Sequence, residues 1–275
     1  MIESVIQLFS YPFFIRAFIV GILIALCAAL LGVSLVLKRY AMIGDGLAHV
    51  GFGALSVALV MNWAPLYISI PVVIIAAFFL LQLSENSKIK GDAAIAVISS
   101  SALAIGIVVT SLATGMNIDV YNYMFGSILA VSKEDLQISI PLSIIVIILF
   151  IFFYQKIFAI TFDENFAHAI GVKVKFYKIM LAVLTAITIV IGMRIMGTLL
   201  ISSLIIFPAL SSMRLFKSFR HVVISSAIIS IVCFIFGIVL SYIFSTPAGA
   251  SIVLTNLTCF LLFSLVAMLR GHATK

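Results

Sequence analysis

Two side chains of the kind that bind metal ions lie four residues apart in an otherwise apolar stretch of the sequence. Residues 43–49 read I-G-D-G-L-A-H and contain Asp45 and His49. In a helix, residues four apart lie one turn apart on one face, so the carboxylate and the imidazole can share a cation. A charged residue within a membrane span costs about 2.5 to 3.5 kcal/mol unless it faces protein or water. We therefore interpret the pair as part of a metal-ion path through a membrane.

Other roles for this pair stay open on the residues alone. A buried carboxyl and imidazole also fit a hydrogen-bonded pair that fixes helix packing, or a proton relay in a secondary transporter. An intramembrane metal enzyme is disfavoured, because the sequence has no His-Glu-x-x-His and no Gly-x-Ser-x-Gly. The glycines at positions 44, 46, 51 and 53 fit either close helix contacts or space for a hydrated ion.

The composition is typical of a polytopic membrane protein. Of the 275 residues, 64% are hydrophobic and 9% are charged, and the mean hydropathy of +1.36 lies outside the range of soluble domains. Residues 1–275 are therefore interpreted as a single all-α transmembrane domain, because backbone groups in lipid must be satisfied within each helix. The net charge of +7 is not gathered into one patch, so nucleic acid is not an expected partner.

Nine apolar segments are predicted to cross the bilayer, which takes about twenty residues of helix. They are residues 13–37, 44–61, 66–83, 93–113, 137–158, 179–193, 198–212, 222–244 and 251–269. Eight spans with a re-entrant hairpin near residues 194–212 would fit the same pattern. The least hydrophobic stretch, residues 114–136, is predicted to be an outer loop with a short interfacial helix around residues 121–131.

The distribution of basic residues predicts the orientation. Thirteen of the sixteen Lys and Arg fall on one side of the nine-span arrangement, and only Arg16, Lys133 and Arg194 lie on or near the other. Because Lys and Arg accumulate in cytoplasmic loops, we expect the N-terminus outside and the C-terminus in the cytoplasm.

Four stretches of the sequence, in their order and spacing, resemble a known family. They are residues 34–52, 124–136, 197–215 and 246–254, and the family is the membrane permeases of ATP-binding-cassette importers for zinc, manganese and related metals. The resemblance implies the permease fold of metal-ion or metal-chelate importers, in a bacterial inner membrane. It also implies a homodimer, embedded in lipid, in which Asp45 and His49 line the metal path. Zinc is the expected cargo, with manganese or iron as alternatives.

ATP hydrolysis is expected to come from a separate cytoplasmic subunit. The sequence has no Gly-x-x-x-x-Gly-Lys-Ser/Thr loop, so this chain is not expected to be an enzyme. The resemblance implies a coupling helix within residues 208–220, although an ordinary basic loop would fit the same residues. The predicted coupling residues are Pro208, Ser211, Arg214, Lys217, Arg220, Asp163 and Glu164. An extracytoplasmic metal-binding protein is a further expected partner, and no permanently bound cofactor is expected.

Overall fold

Eleven α-helices make up the described part of the chain. The computed structural model describes residues 11–86, 91–113 and 133–271, and no strand occurs in these ranges. The helices are α1 (Pro12–Leu37), α2 (Ala41–Val60), α3 (Pro65–Asn86), α4 (Gly91–Leu112), α5 (Lys133–Phe152), α6 (Tyr154–Phe162), α7 (Glu164–Ala169), α8 (Val174–Met196), α9 (Thr198–Leu215), α10 (Phe219–Phe244) and α11 (Ala248–Leu269). The predicted all-α fold is confirmed for these residues.

Nine of these helices, all except α6 and α7, are long and apolar enough to span a bilayer. The shortest spans have 18 residues, or about 27 Å at 1.5 Å per residue. A turn at Gly197, where φ is +88°, separates α8 from α9, and glycine adopts this left-handed conformation without steric cost. Helix α9 is therefore a separate helix, and by its length and composition it can cross the bilayer on its own. The prediction of nine spans is confirmed within the described residues.

The structure divides the fifth predicted span into two helices. The predicted span of residues 137–158 runs on through Gln155 and Lys156, but α5 ends before Phe153 and α6 begins after it. Helix α7 then follows in a region that the hydropathy pattern predicts to be a loop. Between α6 and α7, Asp163 is extended, and its carboxylate accepts a 2.9 Å hydrogen bond from the amide of Phe166. This bond satisfies a first-turn N–H group and fixes the start of α7.

The predicted outer loop is shorter at its C-terminal end than the sequence suggests. Helix α5 begins at Lys133, so Glu134 and Asp135 lie in its first turn. Acidic residues are favoured there because the helix dipole is positive at the N-terminal end, which explains how a charged segment can be helical. The interfacial helix predicted around residues 121–131 lies outside the described residues.

Helix α2 lies at the centre of the bundle, together with α1, α8 and α9. It packs against α3, α4, α8 and α9, and its glycines allow the closest of these contacts. A Cβ added to Gly53 would lie 2.6 Å from the carbonyl oxygen of Ala102 in α4, and one added to Gly46 would lie 2.7 Å from Cγ2 of Ile95. Of the two interpretations of these glycines, the structure supports close helix packing.

Candidate functional site

Helix α2 is buried between its neighbours except along one narrow stripe. From residue 42 to residue 53, every residue is buried apart from Met42, Asp45 and His49. Their spacing of three and four residues puts them on one face of the helix. The side chain of Asp45 is 40% exposed and that of His49 is 18% exposed. Within residues 42–53, the helix therefore directs its two ionisable groups toward the side that the described helices leave open.

The carboxylate of Asp45 has a different neighbour at each oxygen. Its Oδ2 lies 3.6 Å from Nε2 of His49, and its Oδ1 accepts a 3.2 Å hydrogen bond from the hydroxyl of Ser202 in α9. That hydroxyl is also 3.2 Å from the carbonyl oxygen of Thr198, so two acceptors compete for one proton. Because Ser202 contacts Oδ1, it orients the carboxylate with Oδ2 toward the imidazole.

Of the two ring nitrogens of His49, only Nε2 lies near a polar group. Its Nδ1 is buried, and no protein atom in the described ranges forms a hydrogen bond with it. Nε2 points to the open stripe, next to the carboxylate of Asp45. The nitrogen available to a ligand is therefore Nε2.

Ser202 is a site residue that the sequence analysis does not predict. Serine in a membrane helix commonly bonds a carbonyl of its own helix, so its residue type gives no functional signal. The only sequence feature that points to Ser202 is its position within residues 197–215, one of the stretches that carry the resemblance. In the structure Leu199, Ser202, Ile206 and Leu210 form a stripe of α9 that is not fully buried. This stripe continues the open face of α2.

One chain does not supply a complete set of metal ligands in the part that the structure describes. No group of three or more His, Cys, Asp or Glu side chains is placed there to hold a metal ion. The site provides one carboxylate oxygen and one imidazole nitrogen, with a serine hydroxyl behind the carboxylate. Further ligands for a divalent ion must come from water, from outside the described residues or from another chain.

The seven residues predicted for ATPase coupling lie in three places, of which the start of α7, with Asp163 and Glu164, is one. Pro208 and Ser211 are buried within α9. The three basic residues are exposed around the turn between α9 and α10: Arg214, Lys217 and Arg220. The guanidinium of Arg214 lies 5.4 Å from the centre of the Phe260 ring in α11. The segment is not one helix, because α9 ends at Leu215 and α10 begins at Phe219.

Glu164 anchors α7 to the rest of the bundle through two lysines. Lys38, just after α1, donates to its Oε1 and also to the carbonyl oxygen of Ile160 at 2.8 Å. Lys178 in α8 donates to its Oε2 at 2.9 Å. Burial raises the pKa of Glu164, but the hydrogen bonds from the two lysines outweigh it and hold that pKa below its usual value. The carboxylate therefore stays charged and joins α1, α7 and α8.

The fold and the open polar stripe define a class of protein, a multi-pass membrane permease. The comparison with protein families then gives its assignment. The chain belongs to the ABC 3 transport family, whose model matches residues 10–267. The resemblance inferred from the four sequence stretches is therefore confirmed, as is the multi-pass membrane location.

Individual relatives match along nearly the whole chain. The chain is 31% identical over 268 residues to the manganese import system permease protein ScaB of Streptococcus gordonii, covering 97% of this chain and 96% of that protein. It is 30% identical over 247 residues to the high-affinity zinc uptake system membrane protein ZnuB of Haemophilus influenzae, covering 90% and 94%. The solved structure of PsaBC from Streptococcus pneumoniae in complex with Fab contains a chain that matches with a TM-score of 0.86 and 30% identity, covering 96% of this chain and 95% of that one. The predicted permease fold is confirmed.

Proposed function

We propose that this chain is the permease subunit of an ATP-driven importer for a divalent transition metal ion, and that Asp45 and His49 ligate the ion as it passes. The observation that carries the proposal is the open stripe of α2, where the two ionisable groups lie on the face of residues 42–53 that the described helices leave open. An intramembrane carboxylate and imidazole are costly in lipid, and where they occur they commonly mark an ion or proton path. The relatives named for manganese import and zinc uptake support a metal ion.

The spacing of the two donors suits a shared metal ion. Nε2 of His49 and Oδ2 of Asp45 are 3.6 Å apart. Two ligands at about 2.0 to 2.1 Å from a tetrahedral zinc ion are about 3.3 to 3.4 Å from each other. A shift of a few tenths of an ångström would therefore let both atoms bind one ion. Ser202 assists by holding the other carboxylate oxygen away from the imidazole.

A second copy of the chain would complete the coordination shell. The open stripes of α2 and α9 lie side by side on one surface, and such a surface can face its own copy across a two-fold axis. Two copies bring two imidazole nitrogens and two carboxylate oxygens to that axis. This set favours zinc, and manganese or iron accepts the same donors with added water.

The partner ATPase is proposed to dock on the outward face of α7 and on the exposed basic residues between α9 and α10. Phe166 and Ile170 are 59% and 54% exposed, and their four-residue spacing puts them on one side of the helix. Glu164 and the buried Ala167 lie on the other side, toward the bundle. By the positive-inside rule, this end of the bundle is cytoplasmic. An extracytoplasmic binding protein would deliver the metal ion at the opposite end.

Uptake of radioactive zinc and manganese into proteoliposomes that contain the permease, its ATPase and the binding protein tests the metal path. Asp45→Asn and His49→Gln should each abolish uptake, because each replaces a strong metal donor in every copy by a neutral amide, which is a weaker ligand. His272→Gln, the same chemical change near the C-terminus, is the matched control and should transport normally. Unchanged uptake in a variant that combines Asp45→Asn and His49→Gln, at equal protein abundance, would reject Asp45 and His49 as ligands.

The same proteoliposomes separate ATP-driven import from the proton-coupled alternative, which the family assignment does not favour. ATP-driven import requires ATP and is unaffected by a protonophore, whereas a proton-coupled transporter loses uptake when the proton gradient is dissipated. A pull-down tests docking: Phe166→Ser should weaken capture of the ATPase. Phe176→Ser, which changes another exposed phenylalanine (56%), should not.

A further inference from the structure

A cleft of about 420 Å³ lies between the end of α3, the start of α8 and helix α7. We name it the α3–α8 cleft. Its lining residues are Phe78, Leu81, Gln82, His168, Val174, Lys175, Lys178 and Ile179. None of them belongs to the proposed metal path, and the cleft adjoins the Glu164 ion pairs only through Lys178.

The cleft is polar at one end and apolar at the other. The membrane span in α3 ends at Gln82 and the span in α8 begins at Val174, so the polar residues lie where the hydrophobic spans stop. Phe78 and Ile179 lie farther inside the same two spans, and Phe78 is 42% exposed. The polar end is thus level with the lipid headgroups, and the apolar end is level with the start of the acyl chains.

The polar end favours an anion. Two lysines, a histidine and a glutamine line it, and no acidic side chain is among the described lining residues. Lys178 is paired with Glu164 at 2.9 Å, whereas Lys175 is exposed. The cleft also includes the first turn of α8, a helix of 23 residues. The first N–H groups of a helix have no intrahelical acceptor, and its N-terminal end carries partial positive charge. Ammonium groups and a helix N-terminus together are the donors that bind phosphate groups.

We propose that the α3–α8 cleft binds an anionic phospholipid, with the phosphate at the exposed Lys175 and the first turn of α8 and an acyl chain along Phe78 and Ile179. Basic pockets between membrane helices on the cytoplasmic side are suited to acidic headgroups. Inorganic phosphate would match the polar end but would leave the apolar end uncovered. The inference requires only that the chain spans a membrane, so it does not depend on the proposed metal transport.

Native mass spectrometry of the purified permease tests this site. The protein is offered equal amounts of phosphatidylglycerol and phosphatidylcholine with the same acyl chains, and the bound lipid is counted. We expect preferential retention of phosphatidylglycerol, and a loss of about tenfold in its affinity in Lys175→Gln, because a charge-assisted contact is removed. Lys175→Arg should restore binding. Lys173→Gln is the matched control, because Lys173 is exposed, precedes α8 and does not line the cleft.

A second variant tests the acyl-chain end without changing charge. Ile179→Trp should lower retention of phosphatidylglycerol by filling the apolar end of the cleft. Thermal unfolding of each variant in detergent identifies any that are not folded. Equal retention of the two lipids would overturn the proposal, as would equal losses in Lys175→Gln and Lys173→Gln. Displacement of the lipid by the same concentration of inorganic phosphate would assign the cleft to a soluble anion instead.

Discussion

Replacing Glu164 by Gln should weaken the attachment of α7 to the bundle. The carboxylate accepts from Lys38 at one oxygen and from Lys178 at the other, whereas an amide has one accepting oxygen and one donating nitrogen. Only one of the two lysines keeps its hydrogen bond to this side chain, and the NH₂ group is turned toward the other ammonium. Because the two lysines are only 7% and 12% exposed, water cannot readily replace the lost bond.

The expected loss in the free energy of unfolding is modest, because the side chain of Glu164 itself is 39% exposed. A hydrogen bond to a charged group contributes about 1.5 to 3 kcal/mol, and an exposed ion pair only about 0.2 to 1 kcal/mol. Between these limits we expect a loss of about 1 to 2 kcal/mol in the free energy of unfolding, or a drop of roughly 2 to 8 °C in the unfolding midpoint.

The pH dependence distinguishes loss of this charge from a change in packing. The folded protein holds the pKa of Glu164 below its ordinary value of 4.5. The carboxylate therefore stabilises the folded state fully above that value, and the contribution is lost as the pH falls through the lowered pKa. The difference in unfolding midpoint between the wild type and Glu164→Gln should be constant from pH 7 to about 5 and should narrow at lower pH.

Thermal unfolding in detergent, followed by intrinsic fluorescence, measures this difference. Asp163→Asn is the matched control. It removes the same charge one residue away, and asparagine still caps α7, so we expect a change within about 0.5 kcal/mol. Equal midpoints for Glu164→Gln and Asp163→Asn would refute the role given to the two lysines. The role would also be refuted if the difference in unfolding midpoint between the wild type and Glu164→Gln did not narrow below pH 5.

Two further substitutions test the surroundings of the metal site. Ser202→Ala should weaken metal binding about three- to tenfold, by loss of one hydrogen bond to the carboxylate. Ser203→Ala should leave it unchanged, because that hydroxyl bonds the carbonyl of its own helix at 3.0 Å; titration calorimetry with zinc measures both. Gly53→Ala should destabilise the bundle by about 1 to 3 kcal/mol through overpacking against backbone. Gly44→Ala, whose added Cβ would lie 3.2 Å from the mobile end of Ile205, should cost less in the same unfolding assay.

Hydropathy predicts the spans well because each helix must satisfy its own backbone in lipid, which makes the signal local. The four-residue spacing of Asp45 and His49 likewise predicts their shared face, since helix geometry is local. The break between α5 and α6 is not predicted. Gln155 and Lys156 follow Phe153, but polar residues near the end of a span also fit a single helix that reaches the membrane interface. A hydrophobic pattern alone does not show where such a helix turns.

Contacts between distant helices could not be read from the sequence. Ser202 and Asp45 are 157 residues apart, and Lys38 and Glu164 are 126 apart. Arg194 is one of the three basic residues that the sequence does not place on the cytoplasmic side. In the structure it pairs with the buried Asp135 at 3.3 Å. Each of these pairs depends on which helices become neighbours, and no local pattern encodes that.

The Lys38–Glu164 ion pair links the proposed docking helix α7 to α2, the helix that carries the proposed metal site. Glu164 of α7 binds Lys38, and only Arg39 and Tyr40 separate Lys38 from the start of α2, the helix of Asp45. That turn is tight: Arg39 has a φ of +62°, and the amide of Tyr40 donates to the carbonyl of Leu35 at 2.8 Å. Under the proposed function, a movement imposed on α7 by the ATPase would reach α2 through one ion pair and one closed turn. A short, hydrogen-bonded connection of this kind transmits a displacement, whereas a flexible loop would absorb it.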